Sequence, residues 1–116
     1  MASRGELEQR VMELLWSSPA PQSVADVHAS LSAERELAYT TVMTVLDRLA
    51  KKGLVDRELV SRAWRYTARN PQSAVIAHEM VALLDGVAPE VRVAALREFA
   101  ATLTGREAEA FSVTAR

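Results

Sequence analysis

The sequence predicts a mostly α-helical chain with one small β-hairpin, and three observations carry that prediction. Apolar residues recur at helical spacing in three stretches before Gly53. β-favouring residues alternate with charged ones between Leu54 and Ala68. After Asn70-Pro71 only helical stripes follow. A chain of 116 residues has room for one compact domain of modest core, or for a small domain plus an appended element that cannot fold alone.

The first helix is expected from about Arg4 to Ser17, where Leu7, Val11, Met12, Leu14 and Leu15 keep helical spacing until Ser17-Ser18-Pro19 breaks it. Ser23 stands three residues before Asp26, a carboxylate variant of the capping box, and opens a second helix from Val24 to Ser32. The third runs from about Tyr39 to Lys52. Its Val42, Val45, Leu46 and Leu49 fall at i, i+3, i+4 and i+7, and Gly53 supplies the stop. Two strands follow, Leu54 to Leu59 and Ala63 to Ala68. Their connection, Val60-Ser61-Arg62, has no Gly, Asn or Asp, so the turn type stays open. Trp64 and Tyr66 sit two apart on one side of a strand, which favours core packing over base stacking; Trp16 and Tyr39 are likewise expected in or at the edge of the core.

Proline at position 71 resets the chain, so residues 1–70 are expected as one domain and 71–116 as a separate helical segment. In that segment Val75, Ile76, Met80, Leu83 and Leu84 make one apolar stripe, and Val91, Ala94, Ala95, Phe99 and Leu103 make another. Thr104 and Glu107 match a second capping box before a short last helix toward Phe111. Two or three helices of this length bury too little to stand alone, so their stripes are expected to pair with a second copy in a homodimer.

The net charge of −1 argues against indiscriminate coating of nucleic acid, but the charge is unevenly spread. From Ala38 to Asn70 seven basic residues face three acidic ones, whereas Pro71 to Arg116 carries four basic and six acidic. Three helices and a hairpin, with the basic surplus on the third helix and the hairpin, is the arrangement of a winged helix-turn-helix that places its third helix in the major groove of double-stranded DNA. Off the apolar stripe of that helix stand Thr40, Thr41, Thr44, Asp47, Arg48 and Lys51. Threonine offers a hydroxyl and a methyl to base edges, and arginine is the commonest reader of guanine. Lys51 and Lys52 lie near the helix end and suit phosphates, as do Arg57, Arg62 and Arg65 in the hairpin. The plain alternative is that the lysines complement the helix dipole and the hairpin is a solvated charged face.

Catalytic and metal chemistry find no support. His28 and His78 have no second ligand at a recognised spacing, the four glycines form no phosphate-cradling loop, and the carboxylates lie on solvated segments. No cofactor and no metal is expected. The absence of cysteine excludes disulfides, thiolate metal sites and cysteine nucleophiles, and fits a cytoplasmic location. The start, Met1 to Glu8, turns acidic before any apolar run, so no secretory signal is expected; the longest apolar stretch, Ala74 to Leu84, is too short and too interrupted to span a bilayer.

The run from Ala38 to Val55 (AYTTVMTVLDRLAKKGLV), with Arg62 before Trp64-Arg65-Tyr66, resembles the penicillinase-repressor family of BlaI/MecI type. Leu7 to Trp16 and Pro21 to Val27 resemble that family's opening. The resemblance implies a homodimeric transcriptional repressor of β-lactamase or related resistance genes that binds inverted-repeat operators and dimerises through C-terminal helices. It also implies an inactivating protease that cuts in the dimerisation region. By position, Thr40, Thr41, Thr44 and Arg48 fall on the groove-facing side of the recognition helix and Arg62 in the wing. Three departures stand out: Thr40 replaces a lysine of familiar members, Ser61 replaces a frequent glycine, and Glu98-Phe99 stands at the position of the family's Asn-Phe cleavage bond. Two other readings remain for the same elements, a winged-helix protein-interaction module and a ligand-sensing regulator with an effector pocket.

Overall fold

The computed structural model describes residues 4–114. Its element order is α1 (Arg4–Ser17), β1 (Gln22–Ser23), α2 (Val24–Ser32), α3 (Tyr39–Lys51), β2 (Val55–Val60), β3 (Ala63–Ala68), α4 (Gln72–Leu83), α5 (Pro89–Ala101) and α6 (Gly105–Thr114). By contacts the chain divides into two compact units, Met1–Ile76 and Ala77–Arg116, so the division falls inside α4.

The first unit is built on a single core. The α3 stripe Val42, Val45, Leu46 and Leu49 meets Leu7, Val11, Met12 and Leu15 of α1, Val27 and Leu31 of α2, and Val55 and Tyr66 of the sheet. All are buried, Leu46 completely. Burying one such side chain contributes about 1.5–3 kcal/mol, so this stripe outweighs any surface contact described below.

Helix boundaries follow from local chemistry. Ser23 Oγ accepts from the Asp26 amide (3.1 Å) while the Asp26 carboxylate accepts from the Ser23 amide (3.0 Å), the reciprocal capping box that the sequence predicts. At the end of α3, Gly53 takes a left-handed φ of +78°. Its amide then donates to the Ala50 carbonyl and that of Leu54 to Leu49, a Schellman closure. The second expected capping box does not form among the described residues: the Glu107 amide donates to the Thr104 carbonyl instead of its hydroxyl.

The sheet has three strands, in the order β1-β3-β2, all antiparallel. The third strand is an addition to the predicted hairpin: Gln22 and Ser23 pair with Tyr66 and Arg65. In the hairpin Val60 belongs to the strand and pairs with Ala63, which leaves Ser61-Arg62 as a two-residue loop. Both loop residues have positive φ, 51° and 70°, as a type I′ turn requires.

Trp64 corrects an expectation. It is 41% exposed rather than buried, because its partner in register is Leu59, near the tip, beyond the helices that cover Tyr66. The Arg57 guanidinium covers part of its ring instead, 4.4 Å from the centroid. Trp16 is half-buried and its indole N–H donates to the Asn70 carbonyl (3.0 Å). Tyr39 departs from expectation as well: it is 45% exposed and meets the His28 ring edge to face.

The second unit makes no comparable core. Neither α4 nor α5 contains a buried residue. Phe99 and Phe111 meet edge to face at 6.1 Å, tying α5 to α6.

The capping box gives a pH signature. Hydrogen bonds from the Ser23 amide and hydroxyl, with a smaller contribution from Arg65, hold the Asp26 carboxyl below its ordinary 3.8. A lowered folded value stabilises the protein above pH 3.8, and that stabilisation is lost as pH falls through the folded value. Chemical denaturation of Ser23→Ala at neutral pH is expected to show a loss of about 1 kcal/mol. The stability gap between wild type and Asp26→Asn is expected to narrow in acid.

Candidate nucleic-acid interface

Helix α3 owes its exposed face to its buried one. With Val42, Val45, Leu46 and Leu49 fixed in the core, Thr40, Thr44, Asp47 and Lys51 form an outward stripe at i, i+4, i+7 and i+11, with Thr41 and Arg48 beside it. Thr40, Thr41, Thr44 and Arg48 line one open depression of about 320 Å³, floored by Leu7 and Val45. Here four of the predicted site residues come together.

Their donors are differently committed. The Thr44 hydroxyl donates to the Thr40 carbonyl (2.9 Å), which leaves its methyl and an oxygen lone pair to the outside. The Arg48 side chain has no hydrogen bond or ion pair among the described residues, so its planar fork of donors is available. Arg62, at the exposed tip of the hairpin, is equally uncommitted.

The other predicted cations are paired. Lys51 Nζ lies 3.0 Å from Asp47, and Asp47 also faces Arg57 at 3.6 Å. Arg65 approaches Asp26 at 3.8 Å. Lys52 turns away from α3 and donates to both carboxylate oxygens of Glu8, at 2.7 and 3.0 Å. Asp47 joins helix to hairpin, a role that sequence spacing alone does not reveal, since Arg57 arrives from another element.

Residues 4–113 match the Penicillinase repressor family. The chain belongs to that family.

The Transcriptional regulator BlaI of Mycobacterium tuberculosis, in strains CDC 1551 / Oshkosh and ATCC 25618 / H37Rv, is 48% identical to it over 107 residues, covering 91% of this chain and 78% of that protein. Among solved structures, the complex structure of hsRosR-S1 shares the fold with a TM-score of 0.52 at 22% identity, over 83% of this chain and 88% of that one. This penicillinase-repressor chain is thus a winged-helix, DNA-binding transcriptional repressor and not an enzyme. Among the described residues no helix is long and apolar enough to cross a membrane, and no group of three or more His, Asp or Glu could hold a metal ion.

The repressor's ion pairs divide by burial. The Glu8 carboxylate is only 13% exposed, so its pair with Lys52 braces α1 against the end of α3. Arg10 spans α1 to Glu34 beyond α2, where the guanidinium holds the Glu34 carboxyl below its ordinary range. Asp47, Lys51 and Arg57 are all substantially exposed and contribute little to stability. In thermal unfolding, Lys52→Ala is expected to cost about 1 kcal/mol, whereas Lys51→Ala is expected to leave the midpoint within error.

Proposed function

We propose that this repressor acts as a homodimer on inverted-repeat operators, with residues 1–70 binding DNA and 71–116 joining the copies. Thr40, Thr41, Thr44 and Arg48 read base edges in the major groove. Lys51, Arg62 and Arg65 hold the sugar-phosphate backbone, whereas Lys52, expected there from the sequence, is engaged by Glu8. The observation that carries the reading half is the uncommitted Arg48 fork beside three threonines on one open face. A fork of this kind pairs bidentately with guanine.

Support for the dimer is the unsatisfied apolar surface of α4 to α6. Ile76, Met80, Leu83, Val91 and Phe99 are all exposed, Leu83 to 80%. Ala95 is exposed as well, while Val75, Leu84 and Leu103 are partly covered. Water-facing side chains of this size on two successive helices call for a partner, and a second copy supplies the same stripes. The two recognition helices would then meet successive major grooves about 34 Å apart. The target genes proposed are those of β-lactamase or a related resistance function, in the cytoplasm. Glu98-Phe99 lies in α5, so an inactivating protease acting there would cut the dimerisation segment.

DNA captured from genomic fragments by the purified protein supplies the operator. On that operator Arg48→Ala is expected to lose about tenfold or more in affinity at matched salt; footprints of unchanged affinity would remove α3 as the reader. In sedimentation equilibrium the wild-type chain is expected as a dimer at micromolar concentration and Leu83→Glu as a folded monomer. A folded wild-type monomer would defeat the dimer.

A further inference from the structure

An aspartate on the face turned toward a polyanion needs an explanation. Asp47 stands on the same outward stripe as Thr40, Thr44 and Lys51, where its charge repels DNA. It is not a structural pin, for it is exposed, and both its ion pairs are of the surface kind that shifts an equilibrium by no more than about fivefold each. Its geometry is informative: one carboxylate oxygen meets Lys51 Nζ at 3.0 Å and the other faces Arg57 Nη1 at 3.6 Å. A carboxylate bridging two cations from two elements occupies the place a phosphate would take.

The surroundings fit a phosphate. Beside the pair lies an open depression of about 290 Å³ between the end of α3 and β2, lined by the cations Lys51, Arg57 and Arg69 and by one carboxylate, Asp56. Arg69 is answered by Asp56 at 2.8 Å, so the cations that Asp47 satisfies are the two that a ligand would free. Arg57 does not depend on Asp47 for its place, because its guanidinium rests on the Trp64 ring. Release of the carboxylate leaves the cation still held by the indole. This gives the exposed tryptophan of the hairpin a purpose.

We propose that Lys51 and Arg57 form a seat for a DNA backbone phosphate, that Asp47 is its built-in stand-in in the free repressor, and that Trp64 is the positioning residue for Arg57. The proposal rests on the reading of α3 as the DNA-facing helix. Binding exchanges one carboxylate for one phosphate, so Asp47 tempers affinity for every duplex alike and carries no sequence preference.

The test measures full-length wild type, Asp47→Asn, Arg57→Gln and the double variant on the captured operator and on an unrelated duplex of equal length, across a salt series. Asp47→Asn is expected to bind both duplexes about fivefold more tightly, with the slope of log affinity against log salt steeper by about 0.9 and the operator preference unchanged. Arg57→Gln alone is expected to weaken both and flatten the slope, and in the double variant the gain disappears. Unchanged binding by Asp47→Asn at an unchanged thermal midpoint overturns the proposal, as does a gain that survives Arg57→Gln. A loss confined to the operator would make Asp47 a base contact instead and overturn it too. The two readings fail separately: an Arg48→Ala variant that keeps operator preference removes the DNA-facing helix itself, whereas loss of that preference with Asp47→Asn silent removes only the phosphate seat.

Discussion

The burial of one stripe on α3 is the constraint from which the rest of the first unit follows. Val42, Val45, Leu46 and Leu49 leave the helix only one rotation about its axis, since any other would expose them or bury threonine and arginine. That rotation decides which side chains face outward, and the Schellman closure at Gly53 decides where the chain leaves for the sheet. The register of β2 against β3 then places Arg57 opposite Tyr66 and Leu59 opposite Trp64. Apolar packing of a few side chains therefore sets the position of charges that never touch the core.

What was legible in the sequence was whatever depends on neighbours along the chain. Helical spacing, the Ser23–Asp26 capping box and the glycine stop are interactions within a few residues, and each gave its element to within a residue or two. The four residues around the open face were legible for the same reason, because they are the complement of a periodic stripe. Apart from the Thr104–Glu107 box, whose amide goes to the backbone carbonyl, the failures lie between elements. Strand β1 is two residues long, too short to alternate, and exists only because β3 lies alongside. Trp64 obeys the same two-residue period as Tyr66, but a period cannot say where the covering helices end. Nor can it say that Lys52 reaches back to Glu8, or that Arg57 reaches Asp47.

The two halves of the chain solve different problems. Residues of the first unit share one core and satisfy one another. The helices of the second have no buried residue in α4 or α5, so their apolar stripes are paid for only when something covers them. In the proposed dimer, folding of that unit and association become one equilibrium, and its stability depends on protein concentration. A repressor so built would weaken its operator grip through the tail without any change in the reading surface.

The hairpin tip carries a different cost. Ser61 and Arg62 both sit in the left-handed region, where a side chain is disfavoured by roughly 1–2 kcal/mol per residue. Asparagine and glycine would relieve that strain, and the tight two-residue loop suits them. Keeping an arginine there trades conformational ease for a positive charge at the furthest point of the sheet. Stability alone would favour Asn-Gly at this turn, at the loss of the charge at its tip.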